Sequence, residues 1–213
     1  FVCGNDLYYA SGEIDANDPD AYLDSEEIRK EKQTEAKKNI DYTVVDEIPY
    51  WHNGRNYTNK KRTALFRIQN RKNLSIRRVT DPFENVLSAV RCENRIVYIS
   101  EIHEQKETRR QTIRSLDDSS VRRRTLYGKG KYSIRGLFEL NGSLYCTASD
   151  TKTYGVGENP YICLVENGEI HPLFKPDRSF GNHVTTDILL GGGRSDVSVN
   201  NEWITLVTDQ ERT

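Results

Sequence analysis

The chain has 213 residues, with 31 basic against 32 acidic side chains, 35% hydrophobic and 30% charged. That length can bury one large core or two small ones, and the intermixed charge, −1 in total, excludes wholesale attraction to nucleic acid or an anionic membrane. No stretch reaches the roughly 20 apolar residues of a spanning helix, and the opening FVCGNDLYYASG lacks the charged head and apolar body of a secretion signal.

Gly4-NDLYYAS begins the chain with a polar turn followed by apolar and aromatic residues, the pattern of a buried strand. Residues 13–23, with an Asp-Pro and scattered acids, read as loop. DSEEIRKEKQTEAKKNI (24–40) has a capping residue at Asp24 or Ser25, glutamates in the first turn and lysines in the last. These suit a helix dipole. Almost nothing apolar repeats in it, so the segment predicts a solvated, charged helical insertion.

YWHNGRNYTNKKRTALFRI (50–68) places an Asn-Gly turn among aromatics, then a basic run, then a strand-like alternation. Three strand–turn–strand patterns follow: ALFRIQNRKNLSIRRVTD (64–81), QTIRSLDDSSVRRRTLY (111–127) and YICLVENGEIHPLF (161–174). Asn167-Gly168 is the strongest hairpin signal of the three. Between them, Asn94-RIVYIS, Asn141-Gly-SLYCTAS and Asn201-EWITLVT repeat the turn-then-buried-strand pattern of the opening.

Ile68, Ser115 and Val165 mark equivalent places about 50 residues apart, with about four strands in each interval, which is the rhythm of propeller blades. One small twisted sheet cannot cover both of its faces, whereas sheets stacked radially cover one another. The fold expected is therefore all-β, a partial β-propeller of about four antiparallel blades over residues 1–213, with the 24–40 insertion inside it. A sandwich gives less reason for two templates to alternate at one interval.

The chain lacks a G-x-S-x-G nucleophile elbow; Gly193-Arg194-Ser195-Asp196 misses the second glycine and a following helix. Gly191–Arg194 and Gly128–Lys131 lack phosphate-loop spacing and read as turns. His52, His103, His171 and His183 and the four cysteines are too dispersed for a metal cluster, so neither metal nor other cofactor is expected. The basic runs Lys60–Arg62, Arg109-Arg110 and Arg122–Arg124 lie beside hairpin turns and read as sheet-edge protection rather than a nucleic-acid groove. Cys3, Cys92, Cys146 and Cys163 read as reduced core thiols, which suggests a cytoplasmic protein. Methionine is absent, position 1 included, which predicts an internal fragment from which methionines are also missing, so that some sequence neighbours are not bonded neighbours.

Residues 44–69, VVDEIPYWHNGRNYTNKKRTALFRIQ, resemble the propeller of the prolyl oligopeptidase family of serine peptidases, above all its acylaminoacyl-peptidase and dipeptidyl-aminopeptidase-like bacterial members. The order is an aromatic pair (Tyr50, Trp51), a turn (Asn53-Gly54), another aromatic (Tyr57), a basic run (Lys60–Arg62) and a strand (Leu65–Ile68). IRRVTD (76–81) resembles the end of such a blade, and GNHVTTDILLGGGR (181–194) is similar to these propellers too. The family's SPDG turn is missing, with Asn-Gly, Glu-Asn or Asn-Glu in its place.

The resemblance implies a non-catalytic propeller whose α/β-hydrolase partner, normally C-terminal, is absent from this chain, so no catalytic residue carries over. It implies that the propeller admits only small or unfolded peptides to that active site. An interaction scaffold is the alternative, and a homo-oligomer is left open. The 50–57 stretch is then expected to connect two blades, with Tyr50, Trp51 and Tyr57 packed across a blade edge and Asn53-Gly54 reversing the chain.

Overall fold

The computed structural model describes residues 2–3, 7–52, 56–70, 73–120, 122–176, 178, 180, 197–200 and 202–206. The chain divides into two units: residues 1–86 with 102–108, and residues 87–101 with 109–213. Strands arranged in antiparallel sheets dominate both, as the sequence predicts.

Unit 1 is organised on one four-stranded sheet in the order β1 (Val2–Cys3), β2 (Leu7–Asp15), β5 (Lys61–Asn70), β6 (Leu74–Arg78). Between β2 and β5 lie a 3-10 turn (Ala21–Leu23), helix α1 (Glu26–Lys38) and the two-residue strands β3 (Trp51–His52) and β4 (Asn56–Tyr57). Strand β2 buries Leu7, Tyr9 and Ile14 and continues to Asp15, three residues into the stretch expected as loop. Helix α1 has no buried residue, and its N-terminus is capped by Ser25, whose Oγ accepts from the Ile28 amide at 3.3 Å. Glu26 and Glu27 occupy the first turn and Lys37 and Lys38 the last, the charge order that opposes the helix dipole.

One expectation is corrected here. Strands β2 and β5 pair directly from Leu7↔Gln69 to Asp15↔Lys61, so residues 16–60 form an insertion between neighbouring strands of one sheet. The 50–57 stretch therefore does not connect two blades. The sequence offers no signal for this, because a long insertion between paired strands and a crossover between sheets use the same turn residues.

Unit 2 carries two four-stranded sheets in plain sequence order. One contains β7 (Glu84–Cys92), β8 (Arg95–Ile102), β9 (Thr112–Asp117) and β10 (Arg123–Tyr127), with the first residues of β7 and the last of β8 belonging to unit 1. The other contains β11 (Ser133–Leu140), β12 (Ser143–Ser149), β13 (Tyr161–Glu166) and β14 (Glu169–Phe174). Thus β8 and β12, which a sandwich would seat side by side, belong to different sheets. A hairpin of β15 (Val197–Val199) and β16 (Ile204–Leu206) completes the described strands. In it Ile204 and Leu206 are only half-buried, less than the sequence pattern suggested.

The uninterrupted apolar run Ile96–Ile99 is fully buried on both faces, as a central strand must be. It joins Ile113, Tyr127, Ile134, Leu144, Cys146 and Cys163 in or beside the core of unit 2. Turns Asn141-Gly142 and Asn167-Gly168 hold positive φ at both central residues (52° and 79°, 52° and 77°), which the tightest hairpin reversals require. Cys92, Cys146 and Cys163 are free thiols, and burial pushes Cys92 up to about 11, which makes it a poor nucleophile.

The edge-protection reading of the basic runs divides. Arg123 and Arg124 lie on β10, an outer strand of its sheet, as expected. Arg62 and Lys60 do not: β5 is an inner strand and both side chains are buried.

Candidate functional site

Described residues line a concave surface in each unit, and a smaller one of about 420 Å³ in unit 2 beside the Asn167-Gly168 turn. In unit 1 a groove of about 970 Å³ is walled by 40–43, 45–48, Tyr50, Tyr57, Gln105 and Lys106. Trp51 and Tyr57 are direct partners in the β3–β4 pair, their rings edge to face at 5.1 Å and 87°. The structure thus brings Tyr50, Trp51 and Tyr57 onto one hairpin, while Asn53 and Gly54 lie outside the described residues. The three aromatics are not packed away as expected: Tyr50 and Trp51 are each 47% exposed and Tyr57 48%. Trp51 and Tyr57 meet each other, and all three leave about half of their surface to solvent. Trp51→Ala is accordingly expected to cost about 1 kcal/mol, the loss of one aromatic pair and little burial, as read from urea denaturation.

The base of this groove holds a buried charged network that no sequence motif announced. Arg62 donates from Nη2 to Glu47 Oε2 (2.6 Å) and from Nη1 to Glu47 Oε1 (3.1 Å), with both side chains essentially inaccessible. The same guanidinium donates to the carbonyl of His103 from Nη2 (2.6 Å) and Nε (3.2 Å), and to that of Lys61 (2.8 Å). Glu47 Oε1 also accepts from the Lys60 amide at 2.6 Å, and Lys60 Nζ reaches Asp46 at 3.2 Å and the Glu104 carbonyl at 3.2 Å. Ile48 bridges to the 105–107 segment, donating to Gln105 O at 2.8 Å and accepting from Glu107 N at 3.0 Å.

Burial by itself would raise the Glu47 pKa, but the Arg62 hydrogen bonds and the Lys60 amide outweigh it and hold the carboxyl below its ordinary range. The His103 pKa is lowered as well, by burial and then by the Arg62 charge, both of which disfavour its protonated form. Its ring Nε2 has no partner among the described residues. Folded His103 therefore resists a proton that the unfolded chain accepts. Stability should fall as pH drops below the ordinary imidazole value of 6.5, down to the lowered folded value, and fall again below 4.5 as Glu47 protonates. Urea midpoints from pH 8 down to about pH 2 are expected to show both declines, and His103→Gln to remove the upper one only.

In unit 2 a cleft of about 750 Å³ is lined by Ser88–Arg91 of β7, Gly136–Leu140 of β11 with Asn141, and Val199-Asn200. Strands β7 and β11 each end their sheet among the described residues, so each turns an unpaired backbone edge outward. A Cβ at Gly136 would lie 3.0 Å from Thr147 Oγ1 and 3.1 Å from Phe138 Cζ, so a larger residue there requires these side chains to shift. Arg91 is committed to a two-point pair with Asp118, and Glu139 Oε1 accepts from the Gly142 amide at 2.6 Å. Neither charge is a general acid or base for a bound molecule. No group of three His, Cys, Asp or Glu side chains among the described residues is placed to hold a metal, and no helix there is long and apolar enough to cross a membrane.

Four-stranded antiparallel blades laid down in sequence order, with one charged helix, define a partial β-propeller of the all-β class. Among solved structures the chain is similar in fold to Pyrococcus horikoshii acylaminoacyl peptidase in its orthorhombic crystal form, with TM-score 0.56 and 14% identity over 95% of this chain and 26% of that one. The uncomplexed form of the same peptidase aligns with TM-score 0.32 and 11% identity over 82% and 31%, and an acylaminoacyl peptidase in complex with Z-Gly-Gly-Phe-chloromethyl ketone with 0.33 and 11% over 83% and 31%. The chain thus spans about a quarter to a third of these peptidases, and the match to the orthorhombic form upholds, at the level of the fold, the resemblance read from the sequence. No family model and no curated protein sequence matches.

Proposed function

We propose that the chain is the non-catalytic propeller of a cytoplasmic prolyl-oligopeptidase-like serine peptidase, limiting access of peptide substrates to an α/β-hydrolase domain outside this chain. The observation that carries the reading is the fold match over 95% of this chain to 26% of an acylaminoacyl peptidase. The unit 2 cleft adds to it, being bounded by strand edges and holding no free acid–base pair. A serine without an aligned base and oxyanion site is an ordinary alcohol at neutral pH, so the contribution is steric. Selectivity then depends on substrate size as well as pocket chemistry.

The test compares the parent enzyme with and without the propeller on a dipeptide substrate and on a folded protein. Removal should leave dipeptide turnover intact and admit the folded protein. The reading fails if this chain alone cleaves either substrate, or if a folded, active hydrolase domain excludes the folded protein equally well without it. A second reading, a propeller scaffold for protein partners, is favoured by the exposed Tyr50, Trp51 and Tyr57 on the insertion. Retention of a partner protein by this chain, lost in a Trp51→Ala, Tyr57→Ala double variant, would support it.

A further inference from the structure

The backbone of β11 can be read residue by residue. Asn141-Gly142 closes the β11–β12 hairpin with Leu140 opposite Ser143, and both turn residues have positive φ. In a two-residue hairpin the flanking pair exchanges both ladder hydrogen bonds, and pairs alternate from there. Leu140, Phe138 and Gly136 therefore spend their N–H and C=O on Ser143, Tyr145 and Thr147. Leu137 and Glu139, opposite Cys146 and Leu144, turn theirs away from β12. No described strand pairs with β11 on that side, and Leu137–Glu139 line the cleft.

The edges of this protein are not treated alike. The outer strands β6 and β10 carry Arg77 and Arg78, and Arg123 and Arg124, the cationic side chains that discourage pairing with another chain. The cleft-facing stretches Ser88–Val90 and Gly136–Phe138 carry no charge. An edge with free ladder groups, whose lining charges Arg91 and Glu139 are held by Asp118 and the Gly142 amide, set in a cleft of about 750 Å³, matches the main chain of an extended peptide better than a ligand read by side chains.

We propose that the cleft takes an extended peptide by strand addition to β11, held through the N–H and C=O groups of Leu137 and Glu139. This rests on the reading of the chain as a propeller that admits peptides, and it names how the admitted peptide is held. Main-chain recognition tolerates varied side chains and disfavours segments whose ladder groups are already paired within a fold. Gly136–Leu140 offers roughly 15 Å of edge, enough for about four or five peptide residues.

The experiment uses this chain with an acetylated, amidated eight-residue peptide of alternating valine and threonine, and with the same peptide N-methylated at every second residue in each of the two phases. Amide hydrogen exchange at Leu137 and Glu139 should slow about tenfold or more at saturating peptide, while Gly136 and Phe138, already paired to β12, stay unchanged. N-methylation in the phase that faces β11 should weaken binding about tenfold or more, and in the other phase leave it intact. The proposal is overturned if the peptide does not bind, if protection is uniform across 136–140, or if both N-methylated peptides bind within about twofold of the parent. Protection that rises with chain concentration alone would also overturn it, since the edge would then be pairing with a second copy. The gate comparison on the parent enzyme fails or holds separately, because a steric gate needs no bound strand and a bound strand needs no gate.

Discussion

Arg62→Met is expected to destabilise unit 1 by about 3–5 kcal/mol, the cost of leaving a buried charge without its partner. The guanidinium serves both Glu47 oxygens and the carbonyls of His103 and Lys61, and the pair is 1% and 0% exposed. Methionine keeps much of the volume and none of the donors. Glu47 would retain the Lys60 amide at 2.6 Å and the Lys60 ammonium only at 3.8 Å, so its carboxyl pKa should rise as burial prevails.

Replacing both partners, Glu47→Leu with Arg62→Met, should cost much less than either single change, since it removes the desolvation penalty together with the attraction. Urea denaturation followed by circular dichroism measures all three variants. A loss below about 1 kcal/mol for Arg62→Met, or a double variant as unstable as the sum of the singles, would show that the network is not holding the insertion to its sheet.

Strands with a strong local signal were legible in the sequence. Ile96–Ile99 is apolar on both faces, Asn167-Gly168 and Asn141-Gly142 demand positive φ, and Ser25 caps a helix with acids first and bases last. Each of these is decided within a few residues. What was not legible depends on partners far along the chain. Arg62 sits in a run of three basic residues that looks like solvated surface, and its burial follows only from Glu47 and the 103 carbonyl arriving beside it. One hint existed: Arg62 alternates in phase with buried Ala64, so the period-two pattern places it on a packed face.

Tyr50, Trp51 and Tyr57 failed in the opposite direction, aromatics that composition assigns to a core but that an insertion carries outward. The cleft of unit 2 was invisible for a third reason. Its functional groups are the backbone N–H and C=O of Leu137 and Glu139, and those belong to every sequence; only sheet order shows which are left unpaired.

Tyr127→Ala is expected to destabilise unit 2 by about 3–5 kcal/mol, and Tyr127→Phe by only about 1 kcal/mol. The ring is 1% exposed in the core that includes Val97, Ile99, Ile113, Ile134 and Cys146. It meets Tyr132 at a centroid distance of 6.3 Å. Truncation to alanine therefore removes a large apolar surface and opens a cavity in sheets that meet through side chains and can close only partly around it. The hydroxyl accepts from the Lys131 amide at 2.9 Å and also interacts with the Tyr132 backbone, in a turn that is only partly buried. Water can replace that bond in the phenylalanine variant, so its loss stays near the net value of a single hydrogen bond. Burial also raises the phenol pKa, which keeps the hydroxyl neutral through the working range and removes ionisation from the comparison. The two variants together decide whether Tyr127 acts by volume or by its hydrogen bond. Equal losses would assign the role to the Lys131 contact and remove the ring from the account of how this core is filled.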